Sequence, residues 1–524
     1  MRRIRKELLM ILFSVIFLGV YLNSDKITGK FGKRVMNVEV LTMEEIELLC
    51  EGKEDVYMES EITLGGGGKI AYDSEQNSLL VPQRLSSEYF DGRLQVPDGK
   101  LYFLKDEALK NKAETISENK VLRLFWIRET TCWMYNVFFT GMPVISITSD
   151  EVAGEIKNGK MWVYDQYRST AQFQSAECSW HLRGATTLNY EKSSYRLTLT
   201  DRKLSFLGMR KDDDWILHAL YDDDGLIHNK FSYEVWREIA ASNCVDHDEG
   251  ISMEFVELFM DNEYLGVYGL SERIDSKALG MNGKDILYKC RDQNNPGEDD
   301  FYDELTENMN PVFVWKYPKD FEMKDWEPLK QWVSMFLFEE YDNLELAESI
   351  LNMGNAVDYN LFNLFTCGMD NIMKNVYFLA DYQSNGNYQI IKIPWDLNMT
   401  WGNSWIDDPD CNFNRFQEKN FYAEDGWIPD MYRLYEDRPE EIGRLLSDRW
   451  QELRRDIVTR ENLYEKLDLE FSYLHDSGAY MRNQQKWPHG DGYWQEDYIY
   501  EYIDRRIEFL DNYIGQMGKT AYGL

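Results

Sequence analysis

The chain has 524 residues, with 57 Lys+Arg against 92 Asp+Glu, a formal charge of −35, and 44% hydrophobic and 15% aromatic residues. That much apolar surface builds large cores and excludes a disordered chain, and the length corresponds to about two to three domains. The acidity disfavours nonspecific nucleic-acid binding, whose affinity comes from Lys and Arg on phosphates, and opposes docking on an anionic lipid surface. The seven Cys (Cys50, Cys132, Cys178, Cys244, Cys290, Cys367, Cys411) lie far apart without a C-x-x-C pair. That spacing argues against a zinc ribbon, a thioredoxin-type motif and a dense disulfide framework.

Arg2, Arg3, Arg5 and Lys6 precede an apolar run from Leu8 to Leu22, after which charges resume at Asp25. A basic flank before a short apolar core reads as a secretory signal or signal anchor. As a helix the run reaches about 22 Å, short of a ~30 Å hydrocarbon core unless flanking residues snorkel. No small-residue cleavage site follows, since the sequence reads Tyr21-Leu22-Asn23-Ser24-Asp25. The expectation is an uncleaved anchor over residues 1–25, basic end in the cytoplasm and the remainder extracytoplasmic.

Residues 26–68 read as an acidic linker ending in Gly65-Gly66-Gly67-Gly68. From 69 to 142, short apolar runs such as Ser78–Pro82, Gly99–Leu104 and Val121–Ile127 alternate with turn residues, which predicts a small β-rich, sandwich-like domain. The alternation predicts further strands over Val144–Thr148, Met161–Tyr164, Ser194–Thr200 and Glu254–Met260. The last turns at Asp261-Asn262-Glu263 into Tyr264–Leu270. Ile227, Phe231, Val235 and Ile239 recur at helical spacing within Leu226–Ala241. Helices are predicted over Trp326–Leu344, Val357–Cys367 and most of Glu440–Ile514, and a strand pair over Asn375–Leu379 and Tyr388–Ile393.

The residues that suggest chemistry are Asp370 and Asn375, in a D-x-x-x-x-N step, and Asp396, which follows a hydrophobic strand in Pro394-Trp395-Asp396-Leu397-Asn398. The step matches a kinase catalytic loop, where the Asp orients a hydroxyl and the amide ligates a metal. Two carboxylates and an amide suit Mg²⁺, a hard cation that prefers oxygen ligands. In a chain with 92 carboxylates the same step also arises in solvated turns and helix caps.

Ordered segments from about residue 143 to 402 resemble the CotH family of spore-coat kinase-like proteins. They are His181–Leu197 around Arg183-Gly184 and Lys192-Ser-Ser-Tyr-Arg196, Asp214–Lys230, Glu257–Glu272, Lys374-Asn375-Val-Tyr, and Pro394-Trp395-Asp396 to Gly402. The resemblance implies an α+β, atypical protein-kinase-like fold over 143–515, with a mixed β-rich lobe and a helical lobe. It implies ATP and Mg²⁺ (or another divalent cation) as cofactors. The implied activity is γ-phosphoryl transfer to Ser or Thr of a secreted, envelope or spore-coat protein. Asp370 then resembles the catalytic Asp, and Asn375, Asp396 and Asn398 stand at metal-side positions. Arg183, Lys192, Arg196 and Glu272 stand at nucleotide-side positions. For Lys192 and Arg196 a phosphate contact competes with an ordinary solvated strand residue; Arg183 is read also as an anchor for a nearby carboxylate, and Glu272 as a strand-end surface charge.

Three positions depart from the family pattern: Glu191 for Pro, His228 for Arg, and Asn398 for a second Asp. They keep open a catalytically degenerate scaffold of the cell surface or spore coat, and transfer of a different group from ATP, such as a nucleotidyl group. The acidic runs Asp212–Asp214 and Asp222–Asp224 lack EF-hand order and read as solvated turns. The six His form no H-E-x-x-H and no cluster in sequence, G-x-S-x-G is absent, and the glycine run lacks a following G-K-[ST]. Trp315, Trp326, Trp332, Trp395, Trp401 and Trp405 are assigned mostly to the core.

Overall fold

In a computed structural model the described residues are 34–522, apart from 57–60, 66–67, 84–90, 107–108, 110–111, 151–154, 167–171, 185–187, 189, 291–311, 321, 338–345, 347–348, 404–425 and 489–495. The expected anchor over 1–25 lies outside the described residues, as does Trp405. Among the described residues no helix is long and apolar enough to cross a membrane. The protein is of the α+β class, and its chain divides into two compact units. One is built from residues up to Ala219 with Phe255–Tyr268 and Phe471–Pro488, the other from Leu220–Glu254, Gly269–Glu470 and His489 onward.

The first unit begins with β layers. Lys100–Leu104, Leu122–Ile127 and Thr131–Thr140 form an antiparallel meander, with Phe103 opposite Leu124 and Leu122 opposite Val137. Val38–Leu41 and Ser78–Pro82 add parallel strands to it. A three-stranded sheet of Thr63–Gly65, Gly68–Lys69 and Asp91–Gln95 puts Leu64 into the same core as Leu79, Val81, Phe103, Leu124 and Val137. Lys100–Leu104 alternates while Ser78–Pro82 is buried throughout, and it is as short apolar runs between turn residues that these strands were readable. The stretch 26–68, expected as a linker, is a correction: from Arg34 onward it supplies strands to both sheets and a helix, Met43–Cys50. That helix starts at a capping box in which Thr42 and Glu45 satisfy each other's backbone N–H groups.

A closed barrel follows, built from Val144–Ser149 (β1), Lys157–Asp165 (β2), Gln172–Arg183 (β3), Ser194–Leu199 (β4), Asp214–His218 (β5), Met253–Met260 (β6) and Glu263–Glu272 (β7), in the order β1-β2-β3-β4-β5-β7-β6. Closure removes the exposed edges that an open sheet of this size would present. The β6–β7 turn falls at Asp261 and Asn262, whose φ values of 51° and 63° give the left-handed pair a tight hairpin needs. At Gly159 a Cβ would stand 2.1 Å from the Thr148 carbonyl oxygen, so the β1–β2 pairing there admits only glycine.

The second unit holds a four-stranded sheet of Ile286–Cys290 (β8), Phe313–Tyr317 (β9), Val376–Tyr382 (β10) and Tyr388–Pro394 (β11), in the order β9-β8-β10-β11. Its helices include His228–Asn243 (α1), Glu327–Phe336 (α2), Met353–Thr366 (α3), Pro429–Asp437 (α4), Pro439–Asp456 (α5) and Asp497–Tyr522 (α6). Trp326, Trp332, Trp395 and Trp401 are at most 1% exposed, as their core assignment requires. Trp401 packs on Phe231 of α1 and Phe365 of α3 at ring distances of 4.8 and 5.1 Å. Each such ring removes roughly 200 Å² from water, worth up to ~5 kcal/mol.

The helix Ala479–Lys486 returns to the first unit through one buried cation. Arg482 donates from Nε and Nη2 to the two Glu257 carboxylate oxygens at 2.8 and 2.9 Å, and from Nη1 to Asn119 Oδ1 at 2.8 Å. Tyr264 OH donates to the same Glu257 at 2.8 Å. Removing the guanidinium strands a fully buried carboxylate, so Arg482→Ala is expected to cost about 3–5 kcal/mol in urea denaturation. A loss under ~1 kcal/mol would show that Glu257 finds other partners or a proton.

Candidate functional site

In the second unit, the pairing of Val376 with Pro394 brings the start of β10 beside the end of β11. Asn375 and Asp396 therefore leave the same end of one hairpin. Both stand in the left-handed region, at φ of 58° each, where Asn and Asp are tolerated better than most residues. Trp395 is the wedge beneath Asp396. Its ring packs against Tyr377 at 6.1 Å and Tyr233 of α1 at 6.4 Å, and the Tyr233 hydroxyl accepts the Asp396 backbone N–H at 3.0 Å. Asn229, one residue into α1, accepts the Leu397 N–H at 2.7 Å.

The loop carrying Asp370 is tied to this hairpin by Asn371. Its side-chain amide donates to the carbonyls of Trp395 at 2.8 Å and Asn375 at 3.4 Å, while Tyr359 of α3 donates to the Asn371 carbonyl at 2.9 Å. Asp370 is 7% exposed and accepts from Asn375 Nδ2 at 2.8 Å and from Lys374 Nζ at 3.2 Å on both oxygens. Burial raises its carboxyl above the ordinary range; Lys374 opposes this, and the nearby Asp396 carboxylate adds to it. Asp370, Asn375 and Asp396, chosen from distant stretches, are thus brought together. Asn375 spends its Nδ2 on Asp370. The half-buried Asp396 carboxylate has no hydrogen bond or ion pair among the described residues.

Asn398 is tied differently. Its Nδ2 donates to Asp222 Oδ2 at 2.7 Å, and Asn403 Nδ2 reaches the Asn398 carbonyl at 2.9 Å. Asp222 brings a carboxyl group to the place where the family pattern has a second Asp and this chain has an amide. Burial, and then the Asp396 carboxylate, push the Asp222 carboxyl up to about 7. The run Asp222–Asp224 is accordingly no solvated turn: Asp223 is fully buried and binds the start of α1, its Oδ2 accepting the His228 N–H at 2.8 Å and its Oδ1 lying 2.7 Å from His228 Nδ1. The His228 substitution therefore keeps a partner at the helix start. Asp212, read as part of another solvated run, is also fully buried and pairs with Arg210. Glu272 is 8% exposed rather than a surface charge, with Oε2 accepting the Ser252 N–H at 3.1 Å.

The nucleotide-side candidates of the first unit have a different setting. Lys192, read as a phosphate contact or a solvated residue, is neither in this conformation. At 2% exposure its Nζ donates to the Val267 carbonyl at 2.6 Å and Asn483 Oδ1 at 2.9 Å, and it lies 4.7 Å from the Tyr268 ring centroid. Burial without a carboxylate pushes the amine well below the usual lysine range. Gly266 makes this possible, because a Cβ there would stand 2.5 Å from Asn483 Oδ1. Glu191, next in sequence, is exposed. Arg196 pairs with both Asp214 oxygens at 3.1 Å, and Arg183 closes β3 opposite Ser194. The residues that sequence reasoning missed are Lys374, Asn371 and Asp222. Lys374 lay inside the quoted motif, at the i+4 position from Asp370; nothing in the spacing of the other two pointed to the site.

A family model described as CotH kinase protein matches residues 181–519, and the chain belongs to the CotH family. No curated protein matches the chain.

Burial and the Asp396 charge both disfavour ionisation of Asp222 and of Asp370. Asp222 binds its proton more tightly folded than unfolded, and its contribution to stability is lost as pH rises from about 4 through about 7. Asp222→Asn is expected to leave Tm unchanged near pH 4 and to raise it at pH 8 in EDTA, by thermal unfolding. A difference independent of pH would contradict this.

Proposed function

We propose that this member of the CotH family is a protein kinase that transfers the γ-phosphoryl of ATP to Ser or Thr of a secreted, envelope or coat protein, from a membrane-anchored, extracytoplasmic position. The observation that carries the reading is the meeting of Asp370, Asn375 and Asp396 at one end of the β10–β11 hairpin, with an uncommitted Asp396 carboxylate. Asp396 and the Asn375 amide oxygen fit a hard divalent cation, with Asp222 and Asn398 adjoining. When bound, Mg²⁺ supplies the charge compensation that a polyphosphate requires.

The chain's own residues supply the rest. Asp370, held by Asn375 and Lys374, accepts the hydrogen bond of the acceptor hydroxyl and takes its proton as the phosphoryl group arrives. Lys374 is 32% exposed, so its ammonium reaches both Asp370 and solvent. In this reading it places positive charge where negative charge develops. In this reading Arg183 and Arg196 keep the nucleotide-side role that the resemblance implies, with Arg196 also paired to Asp214; Lys192 is left out, because its amine is occupied inside the first unit.

A second reading, a catalytically silent scaffold, is favoured by one observation: the buried Lys192 amine is committed to the Val267 carbonyl and Asn483. Autophosphorylation separates the two. With labelled ATP and Mg²⁺, the purified protein is expected to incorporate label, and Asp370→Asn and Asp396→Ala to reduce the rate by roughly 100-fold or more. Equal labelling of wild type and Asp396→Ala would remove the catalytic reading; absence of both labelling and ATP–Mg²⁺ thermal stabilisation would leave the scaffold. Intact mass distinguishes a phosphoryl from a nucleotidyl adduct.

A further inference from the structure

At the far end of β10 from Asn375 a second constellation assembles from three separate stretches: His247 in the segment after α1, Asp285 immediately before β8, and Asp381 within β10. One ligand-capable atom from each lies within 4.8 Å of the others. The β8–β10 register explains the placement of the two carboxylates, since Ile286 faces Ala380 and the next residues outward are Asp285 and Asp381. We infer that His247, Asp285 and Asp381 form a binding site for one divalent transition-metal ion of the Zn²⁺ type.

The ring of His247 is already oriented as a metal ligand requires. Its Nδ1–H donates to the Leu279 carbonyl at 2.5 Å, which fixes the tautomer and leaves the Nε2 lone pair as the free donor. Both Asp285 oxygens are aimed by backbone N–H groups, from Asn282 at 2.6 Å and Tyr382 at 3.1 Å. Asp381 is aimed by Gln383 Nε2 at 2.6 Å. These donors come from outside the triad and leave lone pairs on each carboxylate for a cation.

Charge points to the same ligand. Asp285 is fully buried, and neither it nor Asp381 has a Lys or Arg ion-pair partner among the described residues. Burial raises the Asp381 carboxyl, the Gln383 hydrogen bond opposes this, the Asp285 and Asp246 charges add to it, and His247 opposes it. A divalent ion relieves both effects at once. One imidazole nitrogen with two carboxylates suits Zn²⁺ or Mn²⁺ better than Ca²⁺ or Mg²⁺, which take oxygen ligands. Ligand atoms on a common Zn²⁺ at ~2.1 Å stand ~3.4 Å apart, so closing the triad needs only side-chain adjustment.

The test is equilibrium dialysis of the full-length protein against Zn²⁺ after EDTA treatment. Wild type is expected to hold one equivalent that His247→Gln and Asp381→Asn lack, and to gain several degrees in Tm with Zn²⁺. Asp396→Ala is expected to keep that equivalent, which separates this site from the proposed catalytic one. In wild type alone, Zn²⁺ is expected to protect His247 from diethylpyrocarbonate, read by peptide mass, so the result does not depend on the variants folding. No Zn²⁺ uptake by wild type at 100-micromolar-scale ion, equal uptake by folded His247→Gln, or unprotected His247 would each overturn the inference.

Discussion

The arrangement of the second unit depends on the side chain of Asn371. One amide group joins the loop after α3 to the end of β11, through carbonyls that belong to Asn375 and Trp395. At 1% exposure it does so away from water, where a lost hydrogen bond is not replaced by solvent. Without that clasp nothing in the sequence requires residues 370 and 396 to be neighbours. With it, two carboxylates are held in each other's field in a poorly solvated place.

Holding like charges together costs stability, and the chain offsets only part of that cost with Lys374. Aromatic packing supplies the counterweight: Trp395 is buried against Tyr377 and Tyr233, and Trp401 against Phe365 and Phe231. The Trp-Asp sequence thus has a mechanical meaning. The indole locks the backbone, and the carboxylate one residue later points where the indole cannot. The first unit spends its polar interior differently, closing Arg482 on Glu257 and Lys192 on backbone and amide oxygens, all of them satisfied internally.

Much of this was legible in the sequence, and the failures share a cause. Ser78–Pro82 announced itself as a short apolar run between turn residues, Met253–Met260 by alternation in sequence, and α1 by its four-residue steps. The pair Asp370 and Asn375 was visible because local spacing and segment order both marked it. Burial, by contrast, has no local signature for a charged residue. Lys192 reads as a phosphate contact or a solvated residue because its partner Asn483 lies almost 300 positions away, and Asp223 reads as solvated although its partner His228 is five residues on. The same limit hid Asp222 beside Asn398, and the meeting of His247 with two aspartates. The early strands before residue 66 were missed because they are two to four residues long, too short for alternation to register.

The left-handed turns at Asn375 and Asp396 have one more implication. Each directs a short side chain with few torsions from a backbone that the hairpin has already fixed, so aim is encoded in the main chain and little rotameric freedom remains to be lost when a ligand arrives. Glycine would sit at either position with less torsional strain. At Asn375 the polar side chain that glycine would lack is the one that holds Asp370, at 2.8 Å.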